Sequence, residues 1–428
     1  MNWQSIYKSG IVSADEAVSS IKSGNLVYVS GNAATPTVLL DALARHADSD
    51  QLKDITLAHA VLAGSDRLKQ SERDGRIIHK AFFVGSADRD AVNMQLGYIP
   101  IHLHRIPVAI KENPPDVALL HTSMPDEYGF LSLGVEVLAS KAAAEWSKKV
   151  ICQVNRRMPR VQGDSFIHVS SVDQFVEADE SIITLDSKTF GDVERNIGLT
   201  IADLIKDGST LQLGIGAIPD AVLSSLDGKK DIGIHTEMAT EGIVNAVEKG
   251  IITGNKKKLH RGKIICTFIM GSKDLYDYVN DNPLFEIHPV DYVNDPFIIA
   301  QNPNTVAINS AVSVDLTGQV CSDSIGSYIY SGFGGQLDFI RGATESEGGV
   351  PIIAFPSLAK HGTVSRIVPN LLNGSGVVTT RADVCWIVTE YGAVNLFGKT
   401  LKERTDELIN IAHPKFRDRL KFEARKRH

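Results

Sequence analysis

Short apolar runs alternate with amphipathic stretches along most of the chain. Leu26-Val-Tyr-Val29, the runs from Asp54 to Leu62 and Ile77 to Val84, Asp116 to His121, and Lys148 to Val154 are bounded by turn residues and read as strands. Helical patterns fill the gaps. Ser13, followed three residues on by Glu16, makes a capping-box pattern and opens a helix expected over 13–23. Pro36 stands where a first helical turn tolerates proline, so Thr37 and its apolar followers read as helix. Gly134 to Trp146 reads as helix as well. Strand and helix in alternation indicate an open, mostly parallel α/β sheet.

The pattern occurs twice. Ile21-Lys-Ser-Gly24 returns as Ile205-Lys-Asp-Gly208, each followed by a strand, a glycine turn, a proline and an apolar helix. Phe82-Phe-Val-Gly85-Ser-Ala-Asp88 returns as Phe268-Ile-Met-Gly271-Ser-Lys-Asp274, and Asp126-Glu-Tyr-Gly129 more weakly as Asp315-Leu-Thr-Gly318. Three pairs in the same order indicate two related α/β domains from an internal duplication, 1–190 and 191–428. The default expectation for such a pair is an active site between the domains.

Composition narrows the classes. Of 428 residues, 43% are hydrophobic and 22% charged, which fits a soluble globular chain. A net charge of −7 argues against nucleic-acid binding. No apolar run approaches the roughly 20 residues of a membrane span, and the N-terminus carries no signal-peptide pattern, so a cytoplasmic protein is expected. Cys152, Cys266, Cys321 and Cys385 are widely spaced and mostly in apolar runs, as free buried thiols would be.

Candidate chemistry concentrates in the second half. Leu211-Gln-Leu-Gly-Ile-Gly-Ala-Ile-Pro219 reads as a strand, a tight turn and a helix, and Gly214 and Gly216 in that turn allow close approach to the backbone. Gly233-Ile-His-Thr-Glu237 places Glu237 where the chain leaves an apolar strand, the usual ligand end of an α/β sheet. A carboxylate there suits covalent acyl transfer, although helix capping or a surface ion pair is the commoner reason for one. With an ordinary pKa of about 4.3 it would be ionised at neutral pH and need no general base. His235 then reads as a packing residue, and His288, in a turn-rich loop, as either a substrate contact or a structural residue. Gly332, Gly334 and Gly335 either converge N–H groups on an oxyanion or phosphate, or simply permit a turn. The basic run Lys256-Lys-Lys258 reads as a solvated loop. No His/Cys/Asp/Glu spacing matches a metal site, no Gly-x-Ser-x-Gly elbow occurs, and no dinucleotide fingerprint is complete.

Taken together, Gly-Ile-Gly-Ala-Ile-Pro219, His-Thr-Glu237-Met, Glu286-Ile-His288-Pro, Tyr292-Val-Asn-Asp, Ser331-Gly-Phe-Gly-Gly-Gln-Leu-Asp-Phe339 and Thr389-Glu-Tyr-Gly392 resemble the acetyl-CoA hydrolase/transferase family, within it the 4-hydroxybutyrate CoA-transferase group. In the first half, Phe83-Val-Gly-Ser-Ala-Asp88, Asn155-Arg-Arg-Met-Pro-Arg160 and Gly163-Asp-Ser-Phe-Ile-His168 agree. The resemblance implies Glu237 as nucleophile and Gly334 or Gly335 as oxyanion donor, with Gln212 and Glu390 near the site and Lys360 toward bound CoA. It further implies coenzyme A as a substrate rather than a resident cofactor, acyl-CoA and free carboxylic acids as partners, and a homodimer or homotetramer. The acidic, glycine-rich Glu345-Ser-Glu-Gly-Gly349 departs from the family pattern.

Overall fold

The computed structural model describes residues 2–49, 52–185, 189–214 and 216–426. Contacts divide the chain into two units, 1–186 with 266–293, and 187–265 with 294–428. Residues 266–293 thus group with the first unit rather than with their neighbours in sequence.

In the first unit a parallel sheet is built from β1 (Leu26–Val29), β2 (Ile55–His59), β3 (Ile77–Ala81), β4 (Val117–Thr122), β5 (Val150–Asn155) and β6 (Gln174–Ala178), in the order β3-β2-β1-β4-β5-β6. β4 and β5 are buried at every position, which is why they read as unbroken apolar runs rather than as alternating ones. Val27, Val29, Leu57, Leu119 and Ile151 pack there against Leu39, Leu40 and Leu43 of α1 (Thr37–Ser49).

The second unit repeats the arrangement. Its strands are β7 (Thr210–Leu213), β8 (Gly233–His235), β9 (Ile264–Cys266), β10 (Thr305–Asn309), β11 (Val350–Ala354), β12 (Trp386–Thr389) and β13 (Gly392–Asn395). The order is β9-β8-β7-β10-β11-β12, followed by β13, which pairs antiparallel to β12. Both sheets therefore reverse direction at the equivalent place, between β1 and β4 and between β7 and β10. Such a switch point opens a crevice at the carboxyl ends of the strands.

The faint third repeat is the same turn in both copies. Asp126 Oδ1 accepts the N–H groups of Tyr128 and Phe130, each at 2.9 Å, and Gly129 has φ 89°. Asp315 Oδ1 accepts those of Thr317 at 2.8 Å and Gln319 at 3.1 Å, and Gly318 has φ 93°. A left-handed residue is required three places after the aspartate, and glycine supplies it without strain.

Two local expectations are corrected. The helix that Ser13 opens covers Ala14–Val18 only, although the Ser13 hydroxyl does accept the Glu16 N–H at 3.2 Å. Helix begins at Ser140 rather than Gly134, because Gly134 turns at φ 68° and Val135 and Val137 bond to the backbone of Ile269 and Thr267. The basic C-terminus is helical over Pro414–Arg425, with Leu420 buried on the helix's inner side. All four cysteines are free, and Cys152, Cys266 and Cys321 are buried. Among the described residues no helix is long and apolar enough to cross a membrane.

Candidate functional site

Glu237 sits just beyond the end of β8, beside the switch point of the second unit. The residue before it fixes its place. Thr236 Oγ1 accepts the Leu213 N–H at 3.1 Å and donates to the Leu213 carbonyl at 3.0 Å, tying the end of β8 to the end of β7. From behind, the buried ammonium of Lys257 donates to the carbonyls of Ile234 and Lys263, each at 2.8 Å. Lys257 is therefore not a solvated loop residue. Its stem passes so close to Gly233 that a β-carbon there would stand 2.5 Å from Lys257 Cγ.

The carboxylate of Glu237 meets the start of α2 (Gln336–Glu345), whose N-cap is Gly335. The Gly335 N–H is directed at the carboxylate. A β-carbon on Gly335 would lie 2.5 Å from Glu237 Oε2 and 2.0 Å from Asn294 Nδ2. Gly335 has an ordinary φ of −97°, so closeness, not backbone conformation, is what demands glycine here. Gly334 instead occupies the left-handed region at φ 58° and makes the turn that aims its neighbour. Asn294, fully buried, faces the same carboxylate, yet neither its Nδ2 nor its Oδ1 has a partner of good hydrogen-bond geometry. Asp338, also buried, lies in the first turn of the same helix.

These neighbours change the charge state. Desolvation, and then the like charge of Asp338, push the pKa of Glu237 up to about 8, while Asn294 and the Gly335 N–H pull the other way. At neutral pH the free carboxyl is thus mostly protonated, against the expectation of a ready-made carboxylate. His235 is buried and meets the Phe339 ring edge-on at 6.2 Å, in keeping with packing.

The remaining expected residues are placed as follows. Gly214 lines a pocket of about 260 Å³ with Ile218, Pro219, Asn309 and Ser310, and Gly216, at φ 114°, caps the helix Ala217–Ser224. Gln212 is spent on the sheet: its Oε1 accepts from the Ile308 N–H and from Asn309 Nδ2, both at 3.0 Å. Glu390 holds Ser357 through its N–H at 2.8 Å and its hydroxyl at 2.5 Å. Lys360 is exposed at the turn of a small hairpin, with φ 47°. His288 belongs to the first unit, with Nε2 3.6 Å from Glu286 Oε2 and its ring 5.1 Å from that of Tyr292. Of the residues singled out in the sequence, the structure brings Glu237 and Gly335 into contact and adds Asn294 and Asp338, which were not singled out.

Comparison with known proteins bears on the family. A profile described as the acetyl-CoA hydrolase/transferase N-terminal domain matches residues 1–185, and one for the C-terminal domain of that name matches 271–424. The 4-hydroxybutyrate coenzyme A transferase of Clostridium kluyveri is 49% identical over the whole of both chains. The succinyl-CoA:acetate/propanoyl-CoA:succinate CoA transferase of Fasciola hepatica is 43% identical, covering 96% of this chain and 86% of its own. The crystal structure of RipA from Yersinia pestis superimposes with a TM-score of 0.95 at 39% identity, covering both chains entirely.

Proposed function

The chain belongs to the acetyl-CoA hydrolase/transferase family, and from that premise we propose that it is a CoA-transferase whose nucleophile is Glu237. Its substrates on this reading are a short-chain acyl-CoA, of the 4-hydroxybutyryl or butyryl kind, and a free carboxylic acid such as acetate. The observation that carries the reading is the Glu237 carboxyl held between the Gly335 N–H and the Asn294 amide.

The chemistry begins with loss of the Glu237 proton. The carboxylate adds to the thioester carbonyl of the acyl-CoA, and collapse of the tetrahedral adduct expels CoA thiolate and leaves a mixed anhydride. The thiolate then adds to the glutamyl carbonyl, expelling the acyl group as its carboxylate and leaving a glutamyl-CoA thioester. An incoming carboxylate runs the two steps backwards and leaves as acyl-CoA. One thioester is consumed and one is made, so no nucleotide is spent.

Each step places negative charge on an oxygen beside Glu237. The Gly335 N–H is already aimed there, and the Asn294 amide lies beside the same carboxyl. A preorganised donor of this kind is worth about 3–4 kcal/mol to a tetrahedral oxyanion. Asp338 disfavours the charged form of Glu237 and has no such effect on the neutral mixed anhydride and thioester, so it favours the covalent states over the free carboxylate. Exchange of CoA between butyryl-CoA and labelled acetate tests the reading. Exchange lost in Glu237→Ala supports it, whereas CoA release that continues without an acceptor acid, in wild type and variant alike, rejects it.

A further inference from the structure

In the first unit a chain of buried polar groups lies on and beside β2 and β3. His59 closes β2, and its Nδ1 is 3.0 Å from the carbonyl of Ala60. His59 Nε2 is 2.9 Å from Nδ1 of His79 on β3, and the two rings stand nearly perpendicular. His79 Nε2 is in turn 2.9 Å from Glu72 Oε1. Asp88, at the start of the helix Arg89–Gln95, accepts the Gly85 N–H through Oδ1 at 2.8 Å. Its other oxygen, Oδ2, is buried without a hydrogen-bond partner, 3.6 Å from His59 Nδ1. His59, His79 and Asp88 are all at least 98% buried.

With both rings neutral and Glu72 ionised, the hydrogens in this chain do not add up. Ala60 offers a carbonyl and Glu72 a carboxylate, so both ends only accept. Three close contacts need three hydrogens, and two neutral imidazoles carry one N–H each. If each ring donates outward, the inner nitrogens face each other lone pair to lone pair at 2.9 Å. One added cation satisfies them, either a proton on a ring or on Glu72, or a metal ion. A single proton would do so, but it would leave one of the two buried carboxylates, Glu72 and Asp88, without a compensating charge. A divalent cation balances both.

We propose that His59, His79 and Asp88 form a structural site for a divalent transition-metal ion of the zinc class, with Glu72 orienting His79 from behind. The donor set of two imidazoles and one carboxylate is the set zinc takes. The three ligand atoms already lie within 4.8 Å of one another. Tetrahedral zinc, with bonds of about 2.0–2.1 Å, holds its ligand atoms about 3.3 Å apart, so modest side-chain rotation closes the site. A carboxylate on the far nitrogen of a liganding histidine fixes its tautomer, which is the place Glu72 occupies. Bound there, the ion ties β2, β3 and the turn from Gly85 to Asp88 into one piece. The sequence hides the site because the ligands come from two strands and a helix start, with no short repeat between them.

The test uses the full-length protein, stripped with EDTA, dialysed, and titrated with Zn²⁺ or Co²⁺ alone. Metal is counted by mass spectrometry after gel filtration, Co²⁺ is followed by its visible d–d absorption, and thermal unfolding is recorded with and without ion. The expected result is one ion per chain, a Co²⁺ spectrum of a low-coordinate nitrogen–oxygen site, and a raised Tm. Asp88→Asn, close in shape, and Glu72→Gln should weaken binding by about 10–100-fold or more while circular dichroism stays unchanged. Wild-type protein that retains no ion from excess Zn²⁺ overturns the proposal and leaves the chain holding a shared proton. Equal binding by wild type, Asp88→Asn and His79→Gln overturns it as well, since the ion would then sit elsewhere.

Discussion

The raised pKa of Glu237 makes the pH dependence of the reaction a sharp test of the site. A carboxyl with a pKa of about 8 is ionised in roughly one molecule in a hundred at pH 6, one in ten at pH 7 and half at pH 8. If the carboxylate is the attacking group, kcat/KM for acyl-CoA should rise roughly 50-fold between pH 6 and 8 and gain only about a factor of two above that. The perturbation that isolates the cause is Asp338→Asn. It removes the like charge and leaves the desolvation, so the rising limb should move to lower pH and the variant should gain on wild type most at the acid end. Initial rates of CoA exchange from butyryl-CoA into labelled acetate at fixed, subsaturating acyl-CoA, across pH 6–9, measure both profiles. Taking the ratio of variant to wild type cancels any titration of the substrate itself. A wild-type profile that is flat across that range, or an Asp338→Asn limb displaced to higher pH, would refute the reasoning.

Other consequences follow from the same contacts. Gly335→Ala has no room beside Glu237 and Asn294, so exchange should fall by at least 100-fold through a displaced N–H donor; near-normal exchange in a folded variant would rule out the close approach. Asn294→Ala should lower kcat by about 10²–10³ with little change in KM if the amide acts only on the oxyanion, and steady-state kinetics separates that from a pure binding defect. Glu237→Gln should also alter stability. A carboxyl whose folded pKa is raised contributes stability that is complete below about pH 4.5 and is lost as pH climbs through about 8. The Tm of Glu237→Gln relative to wild type should therefore increase from pH 5 to pH 8.5, by an amount equivalent to about 3–5 kcal/mol, and a difference that does not vary with pH would exclude a raised pKa.

Much of this was visible in the sequence, and the limits have physical causes. The strands announce themselves because β4 and β5 are buried on both faces and carry unbroken apolar runs. The duplication survives as left-handed glycines, Gly24 and Gly208, Gly129 and Gly318, where turn geometry rather than packing dictates the residue. Glu237 and the turn from Gly332 to Gly335 stand out because strand ends and glycine turns are places where backbone and ligand approach, although nothing local separates Gly335 from Gly334. Asn294 and Asp338 are not, since each reaches Glu237 from a distant part of the chain and looks locally like a loop amide and a helix-start carboxylate. The same distance hid the charge state: an ordinary pKa is the right expectation for a glutamate until burial and Asp338 are known. Lys257 misleads for a similar reason. Its basic neighbours suggest solvent, yet two carbonyls, Ile234 and Lys263, wait for its ammonium inside the protein. The segment from Gly134 to Ala139 has helical composition but is drawn into pairing with Thr267 and Ile269, an outcome no local pattern encodes.

The most direct measurement is the mass of Glu237 itself after turnover. The protein is incubated with butyryl-CoA, treated with borohydride to reduce any thioester, digested, and the peptide containing Glu237 is sequenced by mass spectrometry. Conversion of Glu237 to the corresponding alcohol, only with acyl-CoA present and reversed by adding acetate before the borohydride, is the result expected of a glutamyl-CoA intermediate. Rapid CoA exchange into acetate with Glu237 unmodified throughout would contradict it.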